Sequence, residues 1–161
     1  PLFVRISATD WIEGGWTLEE SVIFARELKA AGVDLVDCST GGNLRAGSTN
    51  ANLKRGPGYQ VPFADRIRRE AGIATGAVGM IRTAELAERI LREDRADLIF
   101  LGRQMLVDPF WAHHAAEALG LTGDFEDWPE QYGWWLAKWG RALRDNGESL
   151  MWPDGGAMAA E

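Results

Sequence analysis

Four short apolar runs, each followed by an amphipathic segment, set the strongest limit on what this 161-residue chain can fold into. LFVRIS (2–7), VDLVDCS (33–39), IATGAVG (73–79) and ADLIFLG (96–102) read as strands of near-continuous apolar character. TLEESVIFARELKAAG (17–32), PFADRIRREAG (62–72) and TAELAERILRED (83–94) have helical periodicity, and PFWAHHAAEALG (109–120) closes the series. Thr17 with Glu20 forms a capping-box pattern, Gly32 provides a stop, and Pro62 sits near a first turn. The alternation predicts an α/β protein whose helices cover a parallel sheet. Half of an eight-unit (β/α)8 barrel and a small, open, doubly wound sheet both satisfy it. A barrel of this kind takes ~250 residues, so on that reading roughly half lies outside the chain. The first residue, a proline before a strand-like run with no initiator methionine, fits a piece of a longer protein.

The formal net charge of −7 argues against nucleic acid or anionic lipid as the general partner, because both demand clustered Lys and Arg. No apolar run approaches the ~18–20 residues of a membrane span, and the opening PLFVRISATD has no signal-peptide pattern. A single cysteine, Cys38, excludes an internal disulfide framework and fits a reducing, cytoplasmic setting. Composition shifts after residue 120. Five of the eight tryptophans lie beyond residue 127, and Trp135 and Trp139 fall on one face of a helix expected over about 129–144. The expected organisation is a strand–helix unit over 1–120, an aromatic helical segment and interface over 121–145, and a tail over 146–161. The Gly/Asn-rich stretch from Gly41 to Gly58 is too long to be a mere connector.

In such proteins chemistry gathers where strands end. Four ends are visible: Ser7-Ala8, Cys38-Ser39, Val78-Gly79 and Gly102-Arg103. Glycine at the last two lets backbone amides approach an anion, the following short helix adds its dipole, and Arg103 brings a permanent charge suited to phosphate. A tight turn with a surface arginine explains the same residues without a ligand. Arg5 stands inside an apolar strand. It either points outward to a helix carboxylate or inward to a cofactor carrying delocalised negative charge. His113 and His114 lie mid-helix, away from the strand ends, and read as helix surface. Cys38 reads as a small buried thiol. Asp34 and Asp37 lack metal-loop spacing, so no metal site is expected.

Read in order, LFVRIS-A-x-D, GVDLVDCSTGG, PGYQVPFA, ATGAVGMI and RADLIFLGRQMLVDPF resemble the C-terminal half of old yellow enzyme family members. The branch is that of bacterial NADPH dehydrogenases and xenobiotic reductases, and the likeness runs over roughly residues 2–135. The resemblance implies half of a (β/α)8 barrel that binds FMN, takes hydride from NADPH or NADH and reduces the C=C bond of α,β-unsaturated carbonyl compounds. By the same likeness, Arg5 contacts the pyrimidine edge of the flavin. The backbone around Val78-Gly79 and Gly102-Arg103 holds the phosphate, with the Arg103 side chain pairing its charge.

The family's carbonyl-binding His/His or His/Asn pair and its proton-donating tyrosine come from the N-terminal half. No matching motif occurs here, so this half carries no catalytic residue of its own. WPEQYGWW is similar to a C-terminal family motif in which a residue after the tyrosine reaches the partner subunit's active site; Trp135 is the best match and Trp134 the second. The implied partners are the missing N-terminal half of the barrel, an enone substrate and further copies in a homo-oligomer. A half-barrel without catalysis and another phosphate-binding α/β protein remain open alternatives. The Gly42–Arg55 loop and the tail after Trp139 have no assigned role.

Overall fold

The structure, a computed structural model, describes residues 1–41, 53, 55–121 and 125–148. By internal packing the chain divides into two units, Pro1–Trp111 and Ala112–Glu161.

The first unit runs β1 (Phe3–Ser7), α1 (Leu18–Ala30), β2 (Leu35–Ser39), α2 (Val61–Ala71), β3 (Ala74–Ala77), α3 (Ala84–Arg92), β4 (Leu98–Ile99) and α4 (Arg103–Val107), with α5 (Trp111–Ala118) beginning at its edge. The helix ends are written locally. Thr17 accepts the Glu20 N–H at 3.2 Å while Glu20 accepts the Thr17 N–H at 2.8 Å, a complete capping box. Gly72 closes α2 at φ 65°, the left-handed region that glycine enters without strain. Thr83 caps α3 by accepting the Leu86 N–H. Arg26 and Lys29 of α1 cover the Glu70 and Gly72 carbonyls at the end of α2.

All strands are parallel, in the order β1-β2-β3-β4. This order separates the two architectures left open by the sequence. A doubly wound sheet reverses direction at a switch point, whereas here every crossover steps one strand the same way, as in a barrel. One sheet face is dry. Ile6, Ala8, Val36, Cys38 and Ala77 form a common core with Val22, Ala25, Ala64, Ile67, Ala87 and Ile90 of the helices. The opposite face carries Phe3, Arg5, Asp37, Gly76 and Leu98, with Arg5, Asp37 and Gly76 in register and Gly76 matched to Leu98. Gly76 is needed there: a Cβ would meet the Phe100 ring at 2.1 Å.

One boundary departs from expectation. β4 spans only Leu98–Ile99, the two residues that pair with Gly76 and Ala77 before β3 stops. The short helix expected after Gly102-Arg103 is α4, and the closing helix expected over 109–120 is α5.

The second unit contains α6 (Glu130–Asp145). His113 stacks on Trp128 with ring centroids 4.5 Å apart, and Phe125 meets Trp128 edge-on. The two histidines were expected on an open helix surface; both are half-buried instead, because an aromatic cluster covers that turn. Gly133 is buried, and a Cβ there would lie 2.7 Å from the Phe125 carbonyl oxygen. Trp134, Trp135 and Trp139 are exposed, with the Lys138 ammonium over the first two rings. No helix among the described residues is long and apolar enough to cross a membrane. Most of the Gly42–Arg55 loop and of the tail lies outside the described residues.

Candidate flavin-phosphate site

A cleft of about 580 Å³ opens at the C-terminal ends of the strands. Arg5, Val78, Gly79, Gly102 and Arg103, the residues singled out from the sequence, all line it. Arg55, Arg82, Tyr59, Gln60, Ser39, Thr40 and Phe100 line it too.

The amides are placed by the strand ends. Gly79 has φ 120°, and a Cβ there would lie 2.9 Å from Gln60 Nε2 and 3.1 Å from Tyr59 Cε1, so only glycine fits. A Cβ at Gly102 would meet nothing within 4 Å, which leaves that backbone open to a ligand. Among the described residues, the N–H groups of Gly79, Met80, Gly102 and Arg103 donate to no protein acceptor. The side chains of Arg55, Arg82 and Arg103 likewise form no ion pair among the described residues. Orphan amides and unpaired guanidinium groups around one cleft are the donor set a phosphate needs. α4 has only five residues, so the amides and arginines, rather than its dipole, carry the site.

Arg5 adopts neither arrangement expected for it in pure form. It lies on the sheet face away from the helices and donates Nη1 to Asp37 Oδ2 at 2.9 Å and Nη2 to Ser39 Oγ at 3.2 Å. Its partner is therefore a strand carboxylate, and the side chain remains 58% exposed toward the cleft. Asp37 is buried, and among the described residues its Oδ1 has no hydrogen-bond partner. Burial pushes its carboxyl above the ordinary aspartate range, and the Arg5 guanidinium offsets part of that rise. The neighbouring Cys38 thiol is fully buried and pushed up to about 12, chiefly by burial and secondarily by Asp37. It is a core residue, as the sequence implied.

Sequence reasoning missed Gln60, Arg55 and Arg82 as site residues and set Asp37 aside. PGYQ at the end of a long loop was the signal for Gln60. Asp37 needed the strand register. Trp134 and Trp135 belong to the second unit, on α6.

The model of the NADH:flavin oxidoreductase / NADH oxidase family matches residues 2–121. The chain belongs to this family. It is 52% identical over 132 residues to an NADPH dehydrogenase of Listeria innocua, a match covering 82% of this chain and 37% of that protein. An NADPH dehydrogenase of a Geobacillus species is 52% identical over 122 residues, covering 76% of this chain and 34% of that protein. This flavin oxidoreductase family member thus spans little more than a third of the length of these relatives. Among solved structures, a 2-naphthoyl-CoA reductase in complex with 2-naphthoyl-CoA superimposes with a TM-score of 0.63 at 26% identity, over 73% of this chain and 18% of the other. These findings bear out the old yellow enzyme resemblance and an α/β partial barrel. The family and its NADPH dehydrogenase relatives point to FMN as cofactor and NAD(P)H as electron donor.

Proposed function

We propose that this chain is the FMN-holding part of a flavin-dependent ene-reductase. FMN, when bound, supplies hydride transfer from NAD(P)H to the C=C bond of an α,β-unsaturated carbonyl compound. The observation that carries the reading is the joint placement, in one cleft, of the Gly79 and Gly102 amides and the Arg103 guanidinium, none with a partner among the described residues, together with Arg5.

Each residue has a distinct task. The amides at Gly79 and Gly102 bind the phosphate oxygens, and Arg103 matches their charge. Arg5, held by Asp37 and Ser39, keeps a fixed positive charge where the pyrimidine edge of the flavin lies, which favours the more negative, reduced state of the cofactor. Phe100, seated on Gly76, supplies an apolar surface beside it. Trp135 and Trp134 serve the active site of a neighbouring subunit in a homo-oligomer. Residues for carbonyl binding and proton donation come from the N-terminal barrel half. The same reading sets the protein in the cytoplasm.

FMN titration into the purified 161-residue chain tests the cofactor assignment: saturable quenching of flavin fluorescence is expected. NADPH oxidation with cyclohexenone tests the division of labour. Turnover should be negligible for this chain with FMN and should appear when the complementary barrel half is added. Robust turnover by the chain alone would overturn the reading that it lacks its proton donor.

A further inference from the structure

Gln60 stands just before α2, buried, with its side chain reaching across to the end of β3. Its Oε1 accepts from Thr40 Oγ1 at 2.6 Å; the Val78 carbonyl, an acceptor only, fixes which way the amide faces. Its Nε2 donates to the Val78 carbonyl at 3.2 Å. The next carbonyl along, that of Gly79, accepts the Gly58 N–H at 2.8 Å. Both peptide units flanking Gly79 are thus gripped by their carbonyls from the 58–60 turn. In a trans peptide the N–H points opposite to the C=O. The grip therefore turns the Gly79 and Met80 N–H groups away from the turn, and among the described residues neither finds an acceptor.

We infer that Gln60 is a positioning residue for the cofactor phosphate: by holding the Val78–Gly79 peptide in this orientation, it sets how strongly the cleft prefers a phosphorylated flavin over an unphosphorylated one. The inference rests on the flavin-phosphate reading above. Gln60 itself need not touch the phosphate. If its side chain were replaced by an apolar one of similar length, the Val78 carbonyl would lose its partner, and the peptide would be free to rotate and present that carbonyl's lone pairs to the anion. Thr40 acts one step further back, by partnering Gln60 Oε1 and so holding the buried side chain where its Nε2 reaches the Val78 carbonyl.

The test compares FMN with riboflavin, which differ by the phosphate alone, by fluorescence titration of the 161-residue chain and its Gln60→Met and Thr40→Val variants. Gln60→Met should weaken FMN about tenfold or more, the order expected for losing charge-assisted hydrogen bonds, and leave riboflavin within about twofold. Thr40→Val should lower the same ratio by a smaller factor, and it decides the matter if Gln60→Met does not fold. Parallel weakening of both flavins, or an unchanged ratio, would overturn the positioning role, because a merely structural residue affects both alike. A parent chain that binds FMN and riboflavin equally removes the phosphate reading itself, a result separable from any in which only the variants disagree.

Discussion

Asp37 accepts the Arg5 guanidinium at 2.9 Å from the register-matched position of the neighbouring strand, while its second carboxylate oxygen stays buried without a partner among the described residues. The pair is lopsided: the arginine is largely exposed and the carboxylate is not. Arg5 is thereby aimed by a group that ligands cannot easily reach.

The burial of Asp37 makes stability depend on pH in a defined direction. Its folded pKa lies above its unfolded one, so its stabilising contribution is complete below the unfolded value and is lost as pH rises through the folded value. Asp37→Asn should therefore gain stability relative to the parent as pH rises from the ordinary aspartate range toward neutrality. Loss of the partly exposed ion pair should subtract only about 1 kcal/mol or less. Urea unfolding of both proteins across this range checks it; a pH-independent difference would show that the carboxylate is as well solvated as in the unfolded chain.

Arg5→Gln should lower the midpoint potential of bound FMN, because the positive charge favours the state with more electrons. Each tenfold change in the ratio of reduced to oxidised binding corresponds to about 30 mV for a two-electron couple. Potentiometric titration with a reference dye measures it. An unchanged potential with FMN still bound would place Arg5 away from the ring.

Arg103→Ala should weaken FMN by roughly tenfold, less than a fully buried guanidinium would cost, since Arg103 is exposed. His113→Ala should leave FMN affinity unchanged, because that ring is engaged by Trp128 in the second unit. Equal losses in the two variants would contradict the phosphate assignment.

The fold was legible where the signal was local. Thr17 with Glu20, Gly32 and Pro62 announced helix ends that the structure reproduces within a residue or two. Gly79, Gly102 and Arg103 were legible as strand-end residues. The barrel sense of the sheet was legible only through the family resemblance, because strand order depends on how crossovers pack and leaves no periodicity behind. The Arg5–Asp37 pair was hidden. It exists only once residues 32 positions apart fall into register. Gln60 escaped because its role lies in what its side chain spans, while its neighbours mark only a turn.

Gly76→Ala should destabilise the first unit by about 1–3 kcal/mol, the usual range for forcing extra volume into a packed site. The added carbon would displace the Phe100 ring, which now lies over the glycine and meets Phe3 edge-on. Combining it with Phe100→Leu should recover part of the loss. Additive losses in chemical denaturation of the single and double variants would mean that the two residues do not press on each other.

Trp135→Ala should alter subunit association or substrate preference in the completed enzyme, since a large exposed aromatic on α6 is a costly surface unless something covers it. Light scattering and a panel of enones measure both. If neither changes, the intersubunit role fails.

The unidirectional strand order has one more consequence. Because each strand pairs only with the strands next to it in sequence, the amides and the arginine proposed to grip the phosphate come from two adjoining turns of the chain, those after β3 and β4. The anion handle is thus inherited as a block. Recombination between barrels that cuts upstream of β2 would carry the handle, with Thr40 and Gln60 that orient it, into a new protein, while leaving the recipient free to bring its own groups for the reacting carbon.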